Sequence, residues 1–289
     1  MQLRQALDAA VEFLTVARVP SPRMNAELLI MFTLDCDRAY LYAHPERELT
    51  AEDLARCDEV LVRRATGVPA QYITGHQEFW GLDFIVSPAV LIPRPETEHV
   101  VEAVLELAKA DGRGRPTLHQ LRIVDVGTGS GAIALALAKE LPYAEIHATD
   151  ISPAALEVAR ANAARHELAS RIEFYETDLL SGLPAASFDI VVSNPPYVGE
   201  SEEDSVQLEV RKFEPRNAVF AGPTGVEVIE RMIPQARAAL APGGWLVFEI
   251  SGTIADRVRS LLLSWDEVEI RNDLQGIARV AMARKATSG

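Results

Sequence analysis

The chain is short of cysteine, of positive charge and of long apolar runs, and each shortage excludes a class of protein. Its 289 residues contain two cysteines, Cys36 and Cys57, and neither has a second Cys or a His at metal-ligand spacing. No His-Glu-x-x-His or Cys-x-x-Cys pattern occurs either. We therefore predict no metal site, and we expect both cysteines to be small buried residues of a reducing compartment.

Basic residues are outnumbered by acidic ones, 28 Lys and Arg against 42 Asp and Glu, which gives a net charge of −14. A protein that mainly binds DNA or RNA needs a basic face to displace counterions, so this balance argues against a stable nucleic-acid partner. The first ten residues carry charges and no apolar signal core, and no apolar run approaches membrane-spanning length. These features predict a soluble cytoplasmic protein without a membrane anchor.

Apolar residues at helical spacing dominate residues 1–75. The first such series is Leu3, Leu7, Val11 and Leu14. Further on, Thr50 is followed three residues later by Asp53, which is the pattern of a helix capping box. No strand pattern interrupts this region. We therefore predict a small all-helical N-terminal domain over 1–75.

Residues 76–95 change character and predict a β-hairpin that joins two domains. The segment 79–86 is aromatic and β-branched, with a central glycine. Ser87 and Pro88 then predict a turn before a short apolar strand over 90–92.

The remainder, 96–289, alternates between helix and strand patterns. After a helix over 96–110 and a loop at 112–114, seven strands are predicted at 121–126, 145–150, 172–177, 188–193, 245–250, 267–272 and 277–283. Helices are predicted at 131–141, 153–167, 224–240 and 254–264. Such alternation gives an α/β domain with a doubly wound, mostly parallel, Rossmann-like sheet and helices on both faces.

A glycine-rich loop follows the first strand of this sheet and opens a helix. It consists of Gly127, Thr128, Gly129, Ser130 and Gly131. Alternate glycines let the backbone turn sharply and approach a ligand without a Cβ in the way. The next strand ends in Asp150, 19 residues after Gly131, where an acid accepts hydrogen bonds from ribose hydroxyls. A glycine turn alone is weak evidence, but this order of strand, loop, helix, strand and acid favours a nucleoside ligand.

The spacing of the glycines distinguishes between nucleoside ligands. Dinucleotide loops read Gly-x-Gly-x-x-Gly and place a pyrophosphate on the helix N-terminus. Here glycines occupy every second position, and Asp125 precedes them. S-adenosylmethionine has no phosphate, and its sulfonium and ammonium groups favour nearby carbonyls and carboxylates. We therefore predict S-adenosylmethionine, with Asp178 at the end of the third strand as an acceptor for the adenine amino group; the alternative for Asp178 is a solvated turn residue.

The fourth strand ends in a second loop, which faces the first because ligands in open α/β sheets bind beyond the carboxyl ends of the strands. Its residues are Asn194, Pro195, Pro196 and Tyr197. The prolines fix their own φ angles and remove two N–H donors, which leaves a stiff arc of acceptors. The alternative is a structural Asn-Pro turn, which many loops contain.

A planar –NH2 group is the substrate that such an arc fits. The Asn194 side-chain oxygen and the Pro195 carbonyl can each accept one hydrogen, and the Tyr197 ring can lie against the plane of the group. Methyl transfer builds positive charge on a poorly nucleophilic nitrogen. Fixed acceptors stabilise that charge and hold the nitrogen in line with the S–CH3 bond.

Together these motifs resemble the release-factor glutamine N5-methyltransferases, the HemK/PrmC family. The resemblance covers residues 25–29, 71–75, 79–81, 90–98, 125–134, 192–197, 213–215 and 242–244. The two loops are shared with adenine-N6 DNA methyltransferases and some ribosomal RNA enzymes. The Leu-Ile-Pro-Arg-Pro-Glu-Thr-Glu run at 91–98 and the helical N-terminal domain are not.

The resemblance implies methyl transfer from S-adenosylmethionine to the glutamine of the Gly-Gly-Gln motif in class-1 peptide-chain release factors, which leaves S-adenosylhomocysteine. Because the helical domain carries no catalytic motif, we expect it to recognise the protein substrate. Two departures from the family pattern stand out. Ser251 follows Glu249 and Ile250 where the family often has Gly, and Leu179 follows Asp178 where some members have an aromatic. The resemblance therefore implies an aliphatic contact to the adenine at Leu179.

Three other functions use some of the same residues. An adenine-N6 or other amino methyltransferase on DNA or RNA would flip a base into this pocket, which the negative charge disfavours. A non-catalytic S-adenosylmethionine sensor would have no use for an amine-orienting arc. A dehydrogenase would be distinguished by binding of a nicotinamide cofactor.

Overall fold

The computed structural model describes residues 1–110 and 120–287 and divides into two compact units. The first unit comprises Met1–His76 together with Gln207–Phe213, and the second comprises Gln77–Val206 and Glu214–Gly289. The loop expected at 112–114 lies outside the described residues.

The elements are numbered in chain order. The helices are α1 Leu3–Val16, α2 Pro22–Leu34, α3 Arg38–Ala43, α4 Ala51–Ala65, α5 Ala70–Thr74, α6 Glu98–Ala110, α7 Ala132–Glu140, α8 Pro153–Arg165, α9 Leu208–Phe213, α10 Arg216–Val219, α11 Glu227–Ala239 and α12 Ala255–Leu261. The strands are β1 His76–Phe79, β2 Leu82–Ile85, β3 Arg122–Val126, β4 Glu145–Asp150, β5 Ile172–Glu176, β6 Phe188–Ser193, β7 Val198–Gly199, β8 Phe220–Gly222, β9 Leu240–Glu249, β10 Asp266–Asn272 and β11 Ala278–Arg284.

The first unit is helical, as predicted, and encloses an apolar core of its own. Leu3, Leu14 and Leu29 are fully buried in it. The capping box of α4 is confirmed: Asp53 N–H donates to Thr50 Oγ1 over 3.0 Å, and Thr50 N–H donates to Asp53 Oδ2 over 3.1 Å. These reciprocal bonds satisfy two N–H groups that the start of a helix leaves unpaired.

A buried arginine ties α9 into this unit. The Arg64 side chain is 5% exposed and donates to Asn25 Oδ1 and to Glu209 Oε2, each over 2.7 Å. A third bond runs to the Val68 carbonyl over 3.2 Å. Since a buried guanidinium is stable only when paired and hydrogen-bonded, Glu209 is part of the internal structure of the helical unit.

A seven-stranded sheet forms the centre of the second unit, as predicted, in the order β10-β11-β9-β6-β3-β4-β5. The pairs β9/β6, β6/β3, β3/β4 and β4/β5 are parallel, and β11 is antiparallel to both β9 and β10. Parallel strands begin and end at the same edges, so the carboxyl ends of β3, β4 and β6 bring the two predicted loops and Asp150 to one edge. The Ser193 hydroxyl donates to the Val126 carbonyl over 2.7 Å and ties the ends of β6 and β3 together.

The predicted hairpin exists, but its turn and second strand were misplaced. β1 pairs with β2, and the turn falls at Trp80-Gly81, not at Ser87-Pro88. Both turn residues have positive φ, 54° and 65°, which suits the twist of a two-residue hairpin. The Trp80 N–H donates to Glu98 Oε1 over 2.9 Å, which helps to hold this otherwise unfavourable residue in place. Residues 90–92 are not a strand.

Other differences concern the region after the second loop. β7 and β8 form a small parallel sheet, and α9 and α10 lie between them in sequence, where no element was predicted. β9 begins at Leu240, five residues before the predicted start. Of the two cysteines, Cys57 is buried as expected, whereas Cys36 is only partly buried.

Candidate active site

The glycine-rich loop turns with positive φ at each of its glycines: 70° at Gly127, 56° at Gly129 and 86° at Gly131. A Cβ at Gly127 or Gly129 would meet no atom within 4 Å, whereas one at Gly131 would lie 2.7 Å from Leu135 Cδ1. The first two glycines therefore border open space, and the third permits close packing of the loop on α7.

Asp125 holds this loop from within the protein. Its Oδ2 accepts from Thr128 Oγ1 over 2.6 Å and from the Ala134 N–H over 3.2 Å, and the residue is 1% exposed. Oδ1 is buried and has no hydrogen-bond partner among the residues that the structure describes. Burial raises the pKa of Asp125 to about 7, although the bonds from Thr128 and Ala134 oppose that rise.

Asp150 lies at the end of β4 beside the glycine-rich loop. Its Oδ2 accepts from the Gly129 N–H and its Oδ1 from the Ser152 N–H, both over 2.9 Å. Burial raises the pKa of this carboxyl, and the backbone donors lower it. Both oxygens already accept from backbone N–H groups, and their remaining lone pairs can accept from a ligand.

Asp178 pairs with Arg231, a residue that no sequence motif indicated. The Arg231 guanidinium donates to Asp178 Oδ2, and both side chains are about half exposed. The next residue, Leu179, has a φ of 56° and lines the same cavity as Asp178. An aliphatic side chain therefore lines the cavity beside Asp178.

The Asn-Pro-Pro-Tyr loop is held by two residues from elsewhere in the chain. Asn194 Nδ2 donates to Thr97 Oγ1 over 3.0 Å, and Thr97 Oγ1 donates to Glu249 Oε2 over 2.6 Å. At the other end of the loop, the Tyr197 hydroxyl donates to Glu249 Oε1 over 2.8 Å. Thr97 and Glu249 are 4% and 1% exposed, so this network is shielded from water.

Burial dominates the titration of Glu249 and Tyr197. It raises the pKa of Glu249, whereas the hydroxyls of Thr97 and Tyr197 and the positive charge of Arg279 lower it. Burial and the neighbouring Glu249 together raise the pKa of Tyr197 well above its usual range. Tyr197 is therefore a neutral hydrogen-bond donor at physiological pH.

A salt bridge fixes the proline-rich segment that precedes Thr97. The Arg94 guanidinium donates to Glu214 Oε1, and the Ile92 N–H donates to Glu214 Oε2 over 3.1 Å. The Glu214 side chain is 1% exposed, and a buried carboxylate needs such partners.

One cavity of about 330 Å³ brings most of the predicted residues together. The predicted residues in its wall are Gly127, Thr128, Gly129, Ser130, Asp150, Asp178, Leu179, Asn194 and Pro196. Three predicted site residues, Gly131, Pro195 and Tyr197, are described by the structure but do not belong to that wall. Thr97 and Arg231 are in the wall but were missed, together with parts of 89–93 and 215–220. The sequence did contain a pointer to Thr97, because this residue belongs to the Leu-Ile-Pro-Arg-Pro-Glu-Thr-Glu run at 91–98.

Two wider features of the described residues, 1–110 and 120–287, bear on function. No group of three or more His, Cys, Asp or Glu side chains is arranged there to hold a metal ion. None of the helices in those ranges is long and apolar enough to span a bilayer.

Known proteins match the chain along its length. Residues 5–75 match the family model of the PrmC N-terminal domain, and residues 113–212 match that of the methyltransferase small domain. A release factor glutamine methyltransferase of Koribacter versatilis is 55% identical over 289 residues, which cover all of both chains. The chain belongs to the release factor glutamine methyltransferase family. A second member of the family, from Moorella thermoacetica, is 45% identical over 90% of this chain and 89% of its own.

Solved structures support the fold of the family's methyltransferase domain. The hMettl16 catalytic domain in complex with an RNA hairpin superposes with a TM-score of 0.56 and 16% identity, over 80% of this chain and 83% of its own. The T. thermophilus 16S rRNA methyltransferase RsmC gives a TM-score of 0.53 and 20% identity, over 73% of this chain and 49% of its own. At these identities the likeness is one of fold alone.

Proposed function

We propose that this chain transfers the methyl group of S-adenosylmethionine to the side-chain amide nitrogen, N5, of the glutamine in the Gly-Gly-Gln motif of class-1 peptide-chain release factors. The observation that carries the proposal is the orientation of Asn194. Its Nδ2 is engaged by Thr97, so its acceptor oxygen is left for a ligand in the cavity. An acceptor fixed in this way matches an amide NH2 group.

The cavity residues fit S-adenosylmethionine. The carboxylate of Asp150 retains acceptor positions for the two ribose hydroxyls, and Gly127 and Gly129 border space that no side chain occupies. Leu179 supplies an apolar contact for the adenine, with Asp178 beside it. A volume of about 330 Å³ lies at the lower end of the range for small-molecule sites. When bound, this cofactor supplies an electrophilic methyl group on a sulfonium.

The residues of the second loop orient the acceptor nitrogen. Asn194 Oδ1 and the Pro195 carbonyl accept its two hydrogens, which holds the nitrogen lone pair towards the methyl group. As the nitrogen gains positive charge, these fixed dipoles stabilise it without reorganisation. Pro195 and Pro196 keep the arc rigid because their φ angles are fixed. Tyr197 contributes its ring to the loop, while its hydroxyl is anchored on Glu249.

The helical unit recognises the protein substrate in this proposal. It has an apolar core of its own, yet its helices leave large apolar side chains exposed. Those on α1 and α2 are Phe13, Val16, Met24, Leu28 and Phe32. Exposed aromatic and aliphatic side chains can contact a protein partner, and in this proposal those of α1 and α2 do so.

Substitution of Asn194 tests the proposal. Asn194→Ala should reduce methylation of a release factor by about 100-fold or more, the scale of one lost charge-stabilising contact. Its affinity for S-adenosylmethionine should stay within a few-fold of wild type. Labelled methyl transfer to a panel of release factor, DNA and RNA, followed by mass spectrometry of the product, measures both rate and acceptor. Methylation of nucleic acid in place of glutamine, or an unchanged rate in Asn194→Ala, would contradict the proposal.

A further inference from the structure

One buried carboxylate fixes both ends of the Asn-Pro-Pro-Tyr loop. Glu249, at the end of β9, accepts from Tyr197 on one oxygen and from Thr97 on the other. Thr97 in turn accepts from Asn194 at the start of the loop. The first and last residues of the loop are thus tied to a single group on the strand beside β6.

Thr97 Oγ1 and the Tyr197 hydroxyl both donate to Glu249. Burial raises the pKa of Glu249, but these two donors and the positive charge of Arg279 lower it and favour the ionised form, which only accepts. Thr97 thus gives its single hydroxyl hydrogen to Glu249. The Thr97 oxygen can then only accept from Asn194, which must present its NH2 group. The amide is therefore held in one of its two orientations, with Oδ1 left for the substrate.

We infer that Thr97 and Glu249 are positioning residues that set the orientation of the Asn194 carboxamide and select Asn over Asp at that position. The inference rests on the proposed function, which gives the remaining oxygen its use. An aspartate in place of Asn194 would have no hydrogen for Thr97. Two acceptors, one on the buried Thr97 and one on a partly buried aspartate, would then face each other, which is unfavourable because neither is satisfied.

The hydrogen bonds from Asn194 to Thr97 and from Thr97 to Glu249 form a relay. If both bonds ran in the opposite direction, the loop could accommodate an aspartate at position 194. In Glu249→Gln, the introduced amide can donate to Thr97 and still accept from Tyr197. Thr97 is then free to give its hydrogen to the first residue of the loop. In an otherwise wild-type enzyme this substitution should be only mildly harmful, because the introduced amide can also flip. In an enzyme that already carries Asn194→Asp, the same substitution should raise the methylation rate.

The experiment compares steady-state methylation by full-length variants. Thr97→Val removes the hydroxyl at nearly constant shape and should lower kcat about tenfold, as expected for one hydrogen bond. Thr97→Ser restores the hydroxyl and should recover most of that loss, while KM for the acceptor stays unchanged in both. Asn194→Asp should be impaired, and the double variant Asn194→Asp/Glu249→Gln should be about tenfold faster than Asn194→Asp alone.

Each outcome decides for or against the relay. A Thr97→Val enzyme with wild-type kcat, or a Thr97→Ser enzyme as slow as Thr97→Val, would overturn the role of the hydroxyl. A double variant no faster than Asn194→Asp would overturn the role of Glu249 in selecting the residue, even if a Thr97 variant failed to fold. The wild-type acceptor panel separates these failures from that of the proposed function, because the variant ratios can be measured on whichever amine acceptor is methylated.

Discussion

Asp150 combines two tasks at the level of a single side chain. It holds the Gly129 and Ser152 N–H groups and keeps acceptor positions free beside the cavity. Asp150→Ala should weaken S-adenosylmethionine binding by roughly 1.5–3 kcal/mol for each charge-assisted hydrogen bond lost. Calorimetric titration measures this loss. Asp178→Ala is the matched control and should cost less, because Asp178 is about half exposed and paired with Arg231. Wild-type affinity in Asp150→Ala would remove Asp150 from the ribose site.

Asp125 makes stability depend on pH. Its pKa is 3.8 ordinarily and about 7 when folded, so between these values the folded state keeps a proton that the unfolded chain releases. The free energy of unfolding should therefore fall as pH rises from about 4 to about 7, by up to about 4 kcal/mol from this group.

Asp125→Asn mimics the protonated side chain and should remove that contribution. Its stability relative to wild type should rise with pH across the same window, as measured by urea unfolding at several pH values in the absence of ligand. A constant difference between the two proteins would show that Asp125 is ionised throughout.

The positions of candidate site residues could be predicted from the sequence where the backbone rule was simple. Gly129, Asp150 and Asn194 each lie at the end of a parallel strand or just beyond it, and parallel strands place their carboxyl ends together. Thr97 and Glu249 could not be assigned to the site in this way. Their hydrogen bond joins residues 152 positions apart, and no local pattern encodes which buried hydroxyl meets which buried carboxylate.

At the level of elements, the loop before α11 supports the Asn-Pro-Pro-Tyr loop. Gly225 has a φ of 85°, and a Cβ there would lie 2.7 Å from the Tyr197 carbonyl oxygen and 3.0 Å from the Gly199 nitrogen. Both of those atoms belong to the backbone, so neither can rotate away. The glycine is what lets the two loops pack directly against each other.

Gly225→Ala should therefore lower both the melting temperature and the methylation rate. Gly276→Ala is the matched control: its φ is 79°, but a Cβ there meets nothing within 4 Å. It should cost only the backbone strain of about 1–2 kcal/mol, with no loss of rate. Equal effects of the two substitutions on rate would show that the contact with the Tyr197 carbonyl does not matter for the loop.

Element prediction was accurate for the sheet and poor for the connections. Buried parallel strands have apolar runs that stand out in sequence, and all seven strands of the sheet were found. The hairpin turn was missed because Trp80 adopts a positive φ that its residue type does not signal. Residues 198–222 were missed because β7, β8, α9 and α10 are each six residues or shorter, too short for periodicity to appear.

At the level of the whole molecule, substrate recognition by the helical unit can be tested on its surface. Replacement of Phe13 and Phe32 by Ser should reduce methylation of an intact release factor by about tenfold or more. The reason is that aromatic side chains that become buried on binding contribute most of the energy of an interface. S-adenosylmethionine affinity and methylation of a short Gly-Gly-Gln peptide should not change. Leu263→Ser is the matched control, because that side chain is 82% exposed in the second unit. Equal turnover of the intact release factor by all three proteins would contradict recognition through this surface.

The inclusion of α9 in the helical unit also has a consequence for biosynthesis. The polypeptide leaves the ribosome from its N-terminus, so residues 1–76 emerge long before Glu209 is made. Until then the Arg64 guanidinium can bond to Asn25 and Val68 but lacks its carboxylate. The N-terminal unit therefore reaches its final structure only after the strands β3 to β6 of the central sheet have been synthesised. In this protein the first part of the chain to appear is not the first to be complete.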